Sequence, residues 1–273
     1  MKSAPTASPT SAGDPNRLLQ SILMSQSTLR IIHDGPLSGA ENMARDEALL
    51  NRVGRGESPP TLRFYQWDPP TISLGYFQKY ADYEALPSPA GDLAVVRRQT
   101  GGGAILHDQE LTYSITVPLD HKLLEGGPNK LYERAHDAII NAFKTLDVSA
   151  NRCGKSDDSG AAKGPFFCFE RRHCLDVLVG GDKLAGSAQR RTKEAVLQHG
   201  SIILANRYKQ QTTADINTDA TTAITNGIAQ KMIDRFTASQ KIDTTKGQWT
   251  QDELAESTDL IEKHKGDNWV KRL

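Results

Sequence analysis

The run Gly101-Gly102-Gly103 constrains the fold more than any other feature of the sequence. Three successive residues without a Cβ do not propagate a helix or a strand; they mark a sharp loop where backbone can approach a ligand closely. Read alone, the run is equally well a simple tight loop. It is not a Walker-type phosphate loop, because no Gly-Lys-Ser/Thr follows, and it is not a Rossmann fingerprint, because the spacing and the following helix are missing. LAVVRR (93–98) before it and LTYSITVP (111–118) after it read as strands, the second alternating as a half-buried strand does.

Elements of both kinds surround this loop. TLRFYQW (61–67) reads as a strand, Pro69-Pro70 turns the chain, and a short strand follows at 71–74. CLDVLVGGDKLAGSA (174–188) predicts strand, glycine turn and return strand, and AVLQHGSIIL (195–204) predicts another strand. A helix begins near Ser38, whose spacing to Glu41 is that of a capping box. Residues 128–147 carry one apolar stripe: Leu131, Ala135, Ile139, Ile140, Phe143 and Leu146. Helical patterns recur near 226–239 and 250–264. The mixture predicts an α+β fold. We expect a disordered N-terminal extension over 1–27, a catalytic domain over 28–210, and a polar linker with C-terminal helices packing on that domain over 211–273; 151–165 reads as a flexible loop.

Charge narrows the function. With 33 basic and 33 acidic residues the chain has no general grip on nucleic acid or anionic lipid, so the substrate is expected to be a small molecule or another protein. No apolar run approaches the roughly 20 residues that span a bilayer, and Ser, Pro, Thr and Ala follow Lys2 where a signal peptide needs an apolar block. The three cysteines make no disulfide framework. A cytoplasmic location is expected.

Several side chains can carry chemistry. Arg97 and Arg98 are suited to a carboxylate, phosphate or thioester oxygen. Lys183 sits at a turn and is followed by small residues, Ala185, Gly186, Ser187 and Ala188, which leave room for a ligand. His107 and His199 are acid–base candidates by residue type, and neither has a neighbour at metal-ligand spacing. Cys168, in GPFFCFERRHC, lies close to Arg171, Arg172 and His173, cations that favour a thiolate. Spacing alone does not choose between Cys168 and Cys174.

Five ordered segments, NMARDEALL (42–50), LRFYQWDPPTISLGYFQ (62–78), RRQTGGGAILHDQELTYS (97–114), GDKLAGSAQRR (181–191) and LQHGSIIL (197–204), resemble the lipoate–protein ligase A and octanoyltransferase family, which shares its catalytic fold with biotin protein ligases. The resemblance implies a biotin/lipoate protein ligase-like catalytic domain, with a mixed, mainly antiparallel sheet flanked by helices. It also implies an acyl tunnel lined by the glycine loop and the KLAGSA strand, and a functional lysine, Lys183, that contacts the acyl carbonyl. Arg97, Arg98, Gly101, Gly102, Gly103, His107, Gly186, Ser187, Ala188, His199 and Gly200 become the expected substrate-binding set.

The family holds two chemistries: ATP-dependent ligation of free lipoate, and ATP-free transfer of octanoate through a cysteine thioester. HDQELTYS, LQHGS and a Cys-Phe fifteen positions before the functional lysine resemble the transferase pattern. That register implies Cys168 as nucleophile, an octanoyl acyl carrier protein as donor, a lipoyl domain or glycine cleavage H protein as acceptor, and no cofactor; ATP enters only if the ligase alternative holds. An amidotransferase moving acyl groups between carrier domains, and a catalytically silent acyl-binding protein, are the other readings. Gly103 and the Arg171-Arg172-His173 run depart from the transferase pattern.

Overall fold

The computed structural model describes residues 27–155, 164–214, 216, 218 and 220–273. The expected disorder over 1–27 therefore falls almost wholly outside the described residues, as does most of the 151–165 loop. In chain order the elements are β1 (Thr28–Leu37), α1 (Gly39–Gly54), β2 (Thr61–Trp67), β3 (Thr71–Leu74), α2 (Tyr80–Glu84), β4 (Ala94–Arg97), β5 (Ile105–His107), β6 (Glu110–Pro118), α3 (Lys130–Lys144) and β7 (Ala150–Arg152). They continue with β8 (Val177–Val179), β9 (Asp182–Arg191), β10 (Ala195–Ile203), α4 (Thr222–Gln240), β11 (Asp243–Lys246), α5 (Gln251–Lys265) and α6 (Asp267–Val270).

An 8-stranded sheet runs β11-β1-β2-β6-β10-β9-β8-β7. Its β11–β1 and β1–β2 pairs are parallel; the pairs from β2 through β7 are antiparallel. The sheet is thus mixed and mainly antiparallel, as expected. A second, 3-stranded sheet β4-β3-β5 stands beside it and carries the glycine loop between β4 and β5.

Side-chain alternation divides the large sheet. Leu62, Phe64, Tyr113, Ile115 and Val196 bury against Leu131, Ala135, Ile139 and Phe143 of α3 and Met232 and Phe236 of α4. The intervening residues face α1 and the small sheet, and many of them are polar: Arg63, Thr112, Ser114, His199 and Ser201 are all buried. A sheet face that buries polar residues needs partners for each of them, and α1 supplies several. Asp46 Oδ1 accepts from Arg63 (2.8 Å) and Ser114 (2.8 Å), and its Oδ2 accepts from Tyr65 (2.9 Å).

Helix α1 is held from both sides. Ser38 and Glu41 form the capping box that their spacing predicts, a device worth about 1 kcal/mol. Its outer face meets α5, which has its own capping box from Thr250 and Glu253. Glu47 of α1 joins Lys263 (2.6 Å) and buried His264 (2.8 Å), and Glu253 receives a bidentate pair from Arg30 of β1 (2.6 and 3.0 Å). The C-terminal segment also completes the sheet through β11. The sequence places a polar linker over 212–225, but helix α4 begins at Thr222 because the Thr221 hydroxyl caps it by accepting from Ile224 N. No described helix is long and apolar enough to cross a membrane.

Candidate active site

A cavity opens between the two sheets. Met43, Trp67, Ile105 and Phe169 give it apolar walls, while Ser73, His107, Thr112 and Ser201 add polar ones. Gly102, Cys168, Gly186, Ala188 and His199 also line it.

Cys168 starts a short 3-10 helix, Cys168–Glu170. The segment before it is fixed by a parallel bridge between Phe167 and Ala104, just past the glycine loop, and Cys168 N donates to Ala104 O (2.7 Å). The cysteine's position is therefore set by the loop that precedes β5. Lys183, at the start of β9, is only 3% exposed. Its Nζ lies 3.8 Å from Cys168 Sγ and donates to Asp176 Oδ2 (2.8 Å) and Cys168 O (3.3 Å). Burial pushes the Lys183 ammonium toward neutrality, but the neighbouring Cys168 and Asp176 outweigh it and raise its pKa. Lys183 therefore stays a cation, placed to stabilise negative charge on the sulfur or on an oxyanion beside it.

Glycine is required where this pair is packed. A Cβ on Gly186 would lie 2.8 Å from Lys183 Nζ and closer still to Cε. Gly102 has φ +94, and a Cβ there would meet Arg98 at 3.0 Å and Cys168 Sγ at 3.9 Å. A Cβ on Gly103 would meet Cys168 N at 2.9 Å and Arg171 Nε at 3.0 Å. The two departures from the transferase pattern are thus neighbours: the Arg171 side chain lies where a larger residue at 103 would project.

The two arginines before the loop diverge. Arg98 donates to the carbonyls of Ser73 (2.8 Å), Gly101 (2.8 Å) and Gly103 (2.6 Å), and to Thr100 Oγ1 (3.2 Å). It lines the cavity and braces the glycine loop. Burial lowers its pKa to about 10, against the opposing effect of Cys168, and among the described residues no carboxylate pairs with it. Arg97, grouped by the sequence with the substrate-binding residues, points away from the cavity. Its donors go to the carbonyls of Gly75 (2.9 Å), Gln78 (2.7 Å) and Val270 (2.7 and 2.9 Å), because strand alternation sends it to the opposite face from Arg98. Gly101 likewise does not line the cavity, and its carbonyl serves Arg98.

The histidines hold the walls. His199 bridges Thr100 Oγ1 (2.7 Å) and Asp46 Oδ2 (3.0 Å), tying the glycine loop to α1. Burial lowers the pKa of His107, against Glu110; His107 stacks on Trp67 (3.7 Å, 9°) and meets Ser73 Oγ (2.7 Å). Ser187 borders the cavity, yet its hydroxyl turns to the other sheet face, to Tyr113 (2.6 Å) and His136 (2.7 Å). Gly200 is glycine because a Cβ would strike that hydroxyl and Tyr113. Sequence reasoning missed Asp176 and Asp46. Both left a signal: an acid inside the apolar run CLDVLV, and an acid on the face of α1 that packs on the sheet. Among the described residues no group of His, Cys, Asp and Glu is arranged to hold a metal ion.

Residues 38–241 match the profile of the lipoyl protein ligase A/B catalytic domain. The chain is 43% identical over 184 residues to the octanoyltransferase LipM of Kyrpidia tusciae, covering 65% of this chain and 66% of that protein. It is 40% identical over 188 residues to the octanoyltransferase LipM of Bacillus subtilis, covering 66% of this chain and 67% of the relative. The matched part thus spans about two thirds of the curated relatives' length. Among solved structures, lipoate-protein ligase A bound with ATP superposes with a TM-score of 0.68 at 20% identity, over 91% of this chain and 100% of that one. The bi-partite lipoate protein ligase of Thermoplasma acidophilum gives 0.65 at 19%, over 90% and 96%. At such identities these structures speak for the fold.

Proposed function

Because the chain belongs to the lipoyl protein ligase A/B catalytic domain family, we propose that it is an octanoyltransferase that moves octanoate from a carrier-protein thioester to a lysine of a lipoyl-type domain through Cys168. The observation that carries this reading is the 3.8 Å approach of Lys183 Nζ to Cys168 Sγ at the wall of an apolar cavity. The names of the curated relatives point the same way.

The chemistry runs in two balanced steps. Cys168 sulfur attacks the donor thioester carbonyl; a new C–S bond forms, the donor's C–S bond breaks, and the Cys168 proton ends on the departing thiol. The neutral acceptor amine then attacks the Cys168 thioester; a C–N bond forms, the C–S bond breaks, and the amine proton ends on the cysteine. Nothing is oxidised or reduced. Exchange between thiols is nearly balanced, which makes a thiol a suitable relay. Lys183, held cationic by Cys168 and Asp176, stabilises the sulfur anion and the oxyanion of each tetrahedral intermediate. Arg98 supplies a second buried positive charge and keeps the glycine loop against Cys168. The apolar walls take up the acyl chain, at about 0.8 kcal/mol per buried methylene.

An octanoyl acyl carrier protein is the proposed donor, a lipoyl domain or glycine cleavage H protein the proposed acceptor, and no nucleotide is needed. The test mixes enzyme, octanoyl carrier protein and apo lipoyl domain with and without ATP, and weighs the lipoyl domain by mass spectrometry. An octanoyl adduct of equal yield in both supports the reading. A parallel arm replaces the carrier protein by free octanoate; an adduct formed only from that acid with ATP makes the protein a ligase.

A further inference from the structure

The loop over 75–78 stands beside the proposed site and exposes Phe77 at 76%, the most exposed of the large hydrophobic residues in the described chain. The loop is fastened to the glycine loop. Tyr76 N donates to Thr100 O (2.8 Å), and Gly75 packs so tightly on the Gly102 carbonyl that no Cβ would fit. Tyr76 packs edge-on against Phe77 (4.9 Å, 82°). Two arginines flank it: the Arg272 guanidinium lies 3.9 Å and the Arg190 guanidinium 5.6 Å from the Tyr76 ring. Arg190 extends the row of β9 that contains Gly186 and Ala188, so it lies on the cavity side of the sheet. Among the described residues neither arginine pairs with a carboxylate.

We propose that Phe77, Tyr76, Arg190 and Arg272 form the docking surface for the acceptor carrier domain, and that this domain presents acidic residues around its target lysine. The proposal rests on the acyl-transfer reading above. Its physical basis is a charge conflict. Cys168 is flanked by the buried cations Lys183 and Arg98, and these repel the acceptor lysine, which is a cation in solution and gives its proton to water before it attacks as the neutral amine. A carrier drawn in by its lysine alone would be turned away. Acidic residues beside that lysine, met by Arg190 and Arg272, offset the repulsion and steer the encounter. Phe77 offers the apolar anchor that interface centres favour.

The test compares the wild type with the double charge reversal R190E/R272E and with F77A. Three quantities are read: acylation of Cys168 by octanoyl-N-acetylcysteamine, a small thioester with no protein to dock; transfer to an apo lipoyl domain; and binding of that domain by fluorescence anisotropy. The reversal is expected to leave acylation by the small thioester within about twofold of the wild type. It should cut kcat/KM for the lipoyl domain at least tenfold at low salt and remove most of its salt dependence. F77A should weaken binding of the domain at every salt concentration. Unchanged transfer and binding in R190E/R272E would overturn the docking surface. Failure of Cys168 to acylate in the wild type would instead sink the acyl-transfer reading, and the anisotropy measurement would still test the surface.

Discussion

Gly186→Ala probes the cysteine–lysine pair without touching either reactive group. The added Cβ would lie 2.8 Å from Lys183 Nζ and nearer still to Cε, with Asp176 Oδ1 at 3.2 Å. Ordinary carbon contacts begin near 3.5 Å, so the end of the lysine must move by about 1 Å. It has little freedom to do so harmlessly, because it is 3% exposed and fixed between Asp176 and the Cys168 carbonyl. A displacement of about 1 Å at a catalytic group costs on the order of 100-fold in rate. The clash is with the far end of a side chain rather than with backbone, so the fold survives. Rapid-quench mass spectrometry of Cys168 acylation should show the roughly 100-fold loss, with a thermal midpoint within a few degrees of the wild type. A folded variant that acylates at the wild-type rate would refute the placement of Lys183 against Cys168.

Other outcomes follow from the same geometry. Gly102→Val should abolish acyl transfer while leaving circular dichroism unchanged, since φ +94 disfavours a side chain and the new Cβ would intrude between Arg98 and Cys168 Sγ; full activity in a folded variant would remove the loop from the cavity wall. Asp176→Asn withdraws one of the two influences that outweigh burial at Lys183, so the alkaline limb of the acylation pH profile should move to lower pH. Burial lowers His121 and His136 from 6.5 to about 4. A group whose folded pKa is depressed contributes stability that is present above its unfolded value and lost as pH falls. The unfolding free energy from urea titrations should therefore fall between about pH 6.5 and pH 4, by up to about 3 kcal/mol per histidine, and His136→Gln should flatten that slope.

Much of this architecture is legible in local sequence because it depends on local signals. The alternation in 111–118, the glycine turn at Gly180-Gly181 with φ +61 and +94, and the Ser38–Glu41 box each specify their own element. The site is legible only in part, because its contacts are long-range. Nothing in the spacing of GPFFCFERRHC says that Phe167 bridges to Ala104, which is what brings Cys168 rather than Cys174 to Lys183; only the family pattern pointed there. Arg97 and Arg98 look equivalent as a dipeptide. One braces the glycine loop and the other clasps the carbonyl of Val270, far along the chain. Strands β1 and β11 leave little local signal because they form a parallel pair in which Thr28 lies opposite Asp243, and local periodicity carries no record of such a partner.

The covalent role of Cys168 is the centre of the account, and isolation of the acyl-enzyme tests it most directly. The protein is treated with octanoyl carrier protein without ATP, separated from the donor, weighed intact, mapped by peptide, and chased with apo lipoyl domain. One octanoyl group is expected on Cys168, discharged quantitatively to the lipoyl domain, with the same behaviour in Cys174→Ser and none in Cys168→Ala. Near-wild-type transfer by Cys168→Ala, or an octanoyl group that stays on the enzyme through the chase, would contradict it.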